Sequence, residues 1–279
     1  MSRPWRSMLY VPANVPRFVA KAPGAGADAV ILDLEDSVPA DRKADARAAL
    51  AEAVPTARSG GSDVLVRVNR PLRLAVPDIE AAIAAGADGI LLTKAMGAEH
   101  VALAAEMLEG APRPMRLVPM IEGAAAIPRM EAIARASPRV AGLLIGAEDL
   151  AAECGAAADD ETIVLAKRLM VLAAHGAGVA PFGTLGTVAD YRDAERVRDL
   201  VARSKRAGLV GATCIHPALV PVLNEGFAPS AAEIDLARRQ LAAAEDAARE
   251  GRGSFSVDGR MVDEPILIRA RRVLAQAGG

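Results

Sequence analysis

Three carboxylates crowd into four positions of A-V-I-L-D-L-E-D-S-V, at Asp33, Glu35 and Asp36, directly after an apolar run that reads as a strand buried on both faces. Acids that end a strand often do no more than meet water or cap the next helix. The pattern recurs, however. Other short apolar runs end in Arg67 and Asn69, Lys94, Glu122, Glu148 with Asp149, and His216. Glu122 and Asp149, with no cysteine and only one histidine near such a strand end, make an oxygen-only donor pair of the kind that suits Mg²⁺ or Mn²⁺ rather than zinc. From residue types alone, an ion pair with Arg67 or Lys94 explains these two acids equally well. Arg67, inside V-L-V-R-V-N, is too costly to leave unpaired. Either Glu35 or Asp36 neutralises it, or its planar fork faces a carboxylate or a developing enolate oxygen, and both can hold at once. G-A-E-D-L, residues 146 to 150, runs from a strand into a helix start whose backbone amides could receive a substrate carboxylate. His216 reads as structural or as a support to other groups.

The elements that must position these residues are eight apolar runs: 7–12, 29–34, 64–69, 89–94, 116–122, 142–147, 178–183 and 212–217. Each is too short for an ordinary helix, and the alanine-rich charged stretch between neighbours has room for one helix, which is the signature of parallel βα units. G-A-D-A-V-I-L-D at 26–33 is echoed by G-A-D-G-I-L-L-T at 86–93. An α/β fold, the (β/α)₈ TIM barrel, is expected over residues 1–225, with a doubly wound open sheet as the alternative. In a barrel the carboxyl ends of the strands share one face, so the acids, the arginine, the lysine and His216 would converge there. Residues 226–279 form a C-terminal extension. It contains a helix opened by the capping box S-A-A-E at 230–233, a hairpin turn at Asp258-Gly259 and a last helix from about Pro265 to Gln276. The barrel does not need this tail, which is expected to pack on a neighbouring subunit.

Composition narrows the partners. The 279 residues are 52% hydrophobic but only 3% aromatic, enough for one large aliphatic core. Lys and Arg number 33 against 35 Asp and Glu, so a net charge of −2 gives no electrostatic case for nucleic acid or an anionic membrane. No apolar run approaches the roughly 20 residues of a membrane helix. Two distant cysteines and a first segment unlike a secretory signal suggest a reducing cytoplasm.

Taken in order, V-P-A-N-V-P-R-F-V-A-K-A, A-V-I-L-D-L-E-D-S-V, V-R-V-N, L-L-T-K, P-M-I-E, I-G-A-E-D-L, C-I-H-P and D-G-R-M-V-D-E-P resemble the citrate lyase beta-subunit family of the HpcH/HpaI aldolase superfamily, which includes malyl-CoA and citramalyl-CoA lyases. The resemblance covers nearly the whole chain. It implies a magnesium-dependent (β/α)₈ carbon-carbon lyase, assembled as a homotrimer or a multiple of it, that cleaves a 3-hydroxyacyl-CoA of malyl or citramalyl type to acetyl-CoA and a 2-oxoacid through an enolate. By the same resemblance Glu122 and Asp149 bind Mg²⁺, Arg67 stabilises the enolate, and Glu35 and Asp36 hold that arginine and the waters of the metal. Arg17 and Lys21 would meet the phosphates of the CoA thioester, and Asp263 would act as acid/base in a neighbouring subunit's site. The chain departs from the family pattern at Gly123 to Ala126 and at 181–191, both where the distal end of the substrate should sit. Two alternatives remain at this stage: a citrate lyase beta subunit acting on a carrier-bound citryl thioester, and a catalytically silent barrel that binds CoA or an organic acid.

Overall fold

In a computed structural model, described over residues 5–187, 193–249, 251 and 254–278, the chain divides into two compact units, Pro4–Phe227 and Ala228–Gly279 together with the first residues. The first unit is built on eight parallel strands: β1 (Ser7–Pro12), β2 (Ala29–Asp33), β3 (Asp63–Val68), β4 (Gly89–Leu92), β5 (Arg116–Ile121), β6 (Gly142–Ile145), β7 (Ala180–Phe182) and β8 (Ala212–Cys214). Neighbours pair in chain order and β8 returns to β1, as the succession of βα units predicts. The seam between β7 and β8 closes only by a bridge of Phe182 to Gly211, with hydrogen bonds from Gly183 N–H to the Gly211 carbonyl at 2.8 Å and from Val210 N–H to the Pro181 carbonyl at 3.1 Å. The result is a nearly closed barrel. β7 is short and carries Pro181, which has no N–H to donate to a ladder, so this seam is held more loosely than the others.

Residues alternate across each strand. Met8, Ile31, Leu65, Leu91, Val118, Met120, Leu144 and Phe182 fill the barrel interior with Trp5, whose ring stacks on Phe182 at 5.9 Å. Val30, Leu32, Val64, Val66, Ile90 and Leu143 face outward into the core under the helices. Because both faces are buried, the strands read as unbroken apolar runs rather than alternating ones. The two copies of the G-A-D motif do the same work at the start of their strands. Asp28 accepts from the Arg6 backbone and guanidinium at 2.7 to 2.8 Å, and Asp88 accepts from the Val64 backbone and from Arg58, both at 2.8 Å.

Most strands end before the apolar runs do. Asn69, Lys94 and Glu122 fall just beyond β3, β4 and β5, where the chain turns and aims polar groups at the mouth. In the second unit the Ser230 hydroxyl accepts from Glu233 N–H at 3.2 Å and the Glu233 carboxylate accepts from Ser230 N–H at 2.7 Å, closing the expected capping box ahead of the helix Ala231–Arg249. The hairpin of β9 (Phe255–Val257) and β10 (Arg260–Val262) turns through Asp258 and Gly259 at φ 52° and 75°, the left-handed pair that a two-residue turn demands. A helix over Glu264–Ala277 ends the unit.

Candidate active site

Arg67 lies on β3 and is directly paired in the parallel ladder with Asp33, the last residue of β2. Both Asp33 oxygens accept from it, from Nε and Nη2, each at 2.7 Å. The same carboxylate is oriented by backbone N–H donors from Glu35 at 2.8 Å and Ser37 at 3.1 Å. Burial opposes ionisation of Asp33, but its bonds to Arg67 outweigh that and hold it below the usual carboxylate range. Glu35 Oε2 is 2.9 Å from Arg67 Nη1 and Asp36 Oδ2 is 3.3 Å from it. Burial likewise works against the guanidinium charge, and the Asp33 pairing reverses the balance and raises its pKa. The Tyr10 ring on β1 lies 4.9 Å from the guanidinium carbon. Burial raises the Tyr10 phenol above its ordinary value, so that ring stays neutral. This is a rigid cation held by three acids, and one expectation changes: Asp33 makes the two-pronged bond, while Asp36, with 61% of its side chain exposed, stands at the edge.

Lys94 links this clamp to Glu122 and Asp149. Its Nζ is 2.8 Å from Glu35 Oε1 and 3.5 Å from Asp149 Oδ1, and its backbone N–H donates to Glu122 Oε2 at 2.6 Å. Lys94 has φ 48°, a left-handed conformation that costs a non-glycine residue of order 1 kcal/mol and persists where surrounding contacts impose it. Here the amide bond to Glu122 is such a contact. Glu122 is 3% exposed. Burial pushes its carboxyl up to about 7, with Asp149 and Glu35 adding to the rise and the Lys94 amide and charge opposing it. The turn after β6 passes so close that a Cβ on Gly146 would sit 2.5 Å from Glu122 Cγ, so only glycine fits there. Asp149 follows in the first turn of the helix Ala147–Cys154.

The structure therefore brings Arg67, Glu35, Asp36, Glu122 and Asp149 into one network. Among the described residues no three His, Cys, Asp or Glu side chains form a metal cage by themselves. Arg17, over the Phe18 ring at 4.9 Å, and Lys21 are exposed in the segment after β1 and lie outside the network. Asp263, exposed, belongs to the second unit, where its carbonyl receives Ile266 N–H at 3.0 Å. His216 Nδ1 accepts from Ala218 N–H at 3.2 Å, in keeping with a structural role. Of the divergent stretch 181–191, positions 188–191 lie outside the described residues. Sequence reasoning passed over Asp33 as the clamp; it offered Lys94 as an ion-pair partner of these acids, which its 3.5 Å approach to Asp149 matches, but not its bridge to Glu35. Aligning the starts of the second and third apolar runs, 29 and 64, would have placed Asp33 opposite Val68; the ladder pairs Ala29 with Asp63 instead, and this one-residue offset sets Asp33 opposite Arg67. Nothing in L-L-T-K announces that the Lys94 amide serves Glu122.

Beside the network is a cavity of about 170 Å³. Tyr10, the Gly146–Glu148 turn, Phe182, Thr213 and Lys167 are among the residues that line it.

Residues 6–217 match the model of the HpcH/HpaI aldolase/citrate lyase family. The chain belongs to this family. Two relatives span almost all of it: a (3S)-malyl-CoA thioesterase of Cereibacter sphaeroides, 37% identical over 281 residues (99% of this chain, 95% of the relative), and a citrate lyase subunit beta of Escherichia coli, 36% identical over 289 residues (99% and 94%). Among solved structures, protein CitE from Mycobacterium tuberculosis in complex with magnesium, acetoacetate and coenzyme A superposes with a TM-score of 0.80 at 30% identity, covering 100% of this chain and 99% of that one. The chain carries its charged cluster at the carboxyl ends of barrel strands, the face on which TIM-barrel active sites are built.

Proposed function

We propose that this chain is a Mg²⁺-dependent carbon-carbon lyase that cleaves a 3-hydroxyacyl-CoA of malyl or citramalyl type to acetyl-CoA and a 2-oxoacid through an enolate. The observation that carries the reading is a guanidinium fixed by three acids beside a buried carboxylate whose pKa is raised to about 7. The residues fit a hard divalent cation. Glu122 and Asp149 offer oxygen donors only, burial of Glu122, to which the neighbouring carboxylates add, makes its charge costly in a way that a cation relieves, and two protein ligands leave positions for water and substrate oxygens. Glu122 and Asp149 would hold the ion; Mn²⁺ is compatible with the same donors. When bound, the ion supplies a Lewis acid at the hydroxyl and carboxylate oxygens of the substrate.

The chain's own groups perform the remaining tasks. Arg67, already oriented, places positive charge where the thioester oxygen becomes an enolate, a stabilisation that needs no reorganisation during reaction. The first amides of the helix Ala147–Cys154 receive the oxoacid carboxylate. Arg17 and Lys21 meet the CoA phosphates. Asp263, supplied by a neighbouring subunit of a trimer or its multiple on which residues 226–279 pack, takes the hydroxyl proton as the carbon-carbon bond breaks and returns it to the enolate carbon, which completes acetyl-CoA. If so, mixing inactive Asp263→Ala and inactive Asp149→Ala subunits under exchange restores part of the activity. No recovery in verified mixed oligomers would rule out completion in trans.

Hydrolysis of the thioester is a second reading, favoured by the 37% identical malyl-CoA thioesterase. One assay separates the two. With malyl-CoA and citramalyl-CoA, with and without EDTA, the lyase yields acetyl-CoA plus glyoxylate or pyruvate only when Mg²⁺ is present. Free CoA with the intact hydroxy acid as the sole products would establish hydrolysis instead.

A further inference from the structure

Lys167 is the one buried lysine among the described residues, 5% exposed, on the helix Glu161–Ala177 that follows β6. Its side-chain nitrogen donates to the Gly186 carbonyl at 2.9 Å, and that oxygen also accepts from the Thr184 hydroxyl at 3.0 Å. Among the described residues no carboxylate lies within ion-pair distance of Lys167, and no second acceptor meets it. Burial drives its pKa down to about 8, even though Glu148 and Asp159 pull it upward from farther off. The form that burial favours is the neutral amine, which keeps one N–H on Gly186 and has a lone pair free. Desolvation of this kind is what turns a lysine into a nucleophile toward carbonyl carbon. The proposed cleavage makes no use of it.

Lys167 also lines the cavity beside the reactive cluster, together with Thr184 and Gly186 at its amine. That cavity includes the Gly146–Glu148 turn, which leads directly into Asp149. Leu144, Met170 and Phe182 give it apolar walls. At about 170 Å³ it is smaller than the roughly 300 Å³ at which pockets for drug-sized ligands begin, so it suits a molecule of a few heavy atoms and excludes a nucleotide. The other lysines, Lys21, Lys43, Lys94 and Lys205, do not line it. Lys94 is held as an ammonium: burial opposes its charge, but Glu35, Glu122 and Asp149 outweigh burial and raise its pKa.

We propose that Lys167 is a covalent capture site, whose amine forms a reversible imine with the carbonyl carbon of a small 2-oxoacid in this cavity. The inference rests on the reading above, in which glyoxylate or pyruvate is released at Glu122 and Asp149, beside the turn that the cavity includes. The neutral amine adds to the carbonyl carbon to give a carbinolamine. Its two hydrogens then leave with the carbonyl oxygen as one water molecule, and a C=N bond replaces the C=O bond. No oxidant, reductant or metal enters the step, and water reverses it. Capture would therefore hold the oxoacid product in the barrel for longer than its non-covalent contacts do.

The test is reductive trapping on the intact protein with EDTA present. Pyruvate and cyanoborohydride are added, and the adduct on each lysine is followed by mass spectrometry after digestion. The expected result is an adduct at Lys167 that forms at least tenfold faster than any at Lys21, Lys43, Lys94 or Lys205. In Lys167→Arg, which keeps a cation but cannot form the C=N bond, that fast adduct should vanish while slow labelling of the other lysines persists. Absence of a fast adduct, or labelling led by one of the other four lysines, overturns the proposal, and is the result expected if Lys167 only braces the Gly186 carbonyl. So does a fast adduct that survives Lys167→Arg. If Lys167→Arg does not fold, the distribution of label in the unaltered protein decides. Because trapping needs neither thioester nor metal, a Lys167 adduct in a protein that cleaves no 3-hydroxyacyl-CoA would refute the lyase reading and leave the capture site standing, and cleavage without the adduct would do the reverse.

Discussion

Two sides of the barrel mouth are built by opposite rules. Across β2 to β4 every charge is answered: Arg67 by Asp33, Glu35 and Asp36, and Lys94 by Glu35 and Asp149. Across β6 to β8 the strands are short, the last seam closes by a single bridge, and a buried lysine meets one carbonyl. The first side is organised before a ligand arrives, as electrostatic stabilisation of a developing charge requires. The second leaves space beside an unpaired amine, which suits capture of a small molecule rather than stabilisation of a developing charge. The difference teaches where to look for each function: carbon-carbon cleavage in the saturated cluster, capture of the oxoacid in the unsaturated one.

The largest expected effect comes from the link between the two sides. Glu122→Ala or Asp149→Ala should abolish Mg²⁺-dependent turnover in a protein that remains folded by circular dichroism, since each removes half of the proposed oxygen donor pair. Unchanged turnover and unchanged Mg²⁺ affinity in either variant would break the metal assignment. Next in size is Arg67→Lys, which keeps the charge but cannot reproduce the two-pronged bond to Asp33. A fall in kcat of about 10²-fold is expected, in the range for a lost oxyanion donor. A rise in KM alone would move Arg67 from the chemical step to substrate anchoring and erase the contrast.

A smaller effect probes the other side through pH. The ordinary Lys value is 10.5, and burial brings Lys167 to about 8. Between these values the unfolded chain holds a proton that the folded one has shed, so this group makes stability rise with pH, by at most about 1.4 kcal/mol per unit. Urea unfolding of the unliganded protein from pH 8 to 10 should show that rise, and Lys167→Met should lack it. Parallel profiles would mean that Lys167 is not desolvated as described.

What could be read in the sequence divides along the same line. The eight apolar runs, the capping box at Ser230 and the turn at Asp258-Gly259 all carry local signals, and each is where the residues place it. The charged strand ends were legible too, because an acid or an arginine closing an apolar run is conspicuous. Partner choice was not. Asp33 rather than Asp36 clamps Arg67 because strand register sets them opposite, and register is a property of two strands rather than one. Lys167 escaped notice altogether: a lysine in an amphipathic helix reads as a solvated face, and only tertiary packing buries it. The left-handed turn at Lys94 is equally invisible, since nothing local favours it.

Measuring kcat for 3-hydroxyacyl-CoA cleavage and the yield of the trapped pyruvate adduct in both Arg67→Lys and Lys167→Arg tests the division of labour most directly. The account predicts that Arg67→Lys lowers kcat and still forms the adduct, whereas Lys167→Arg loses the adduct and lowers kcat far less than Arg67→Lys does. A loss of kcat from Lys167→Arg as large as that from Arg67→Lys, or a folded Arg67→Lys that no longer forms the adduct, would contradict it and make the two sides a single catalytic unit.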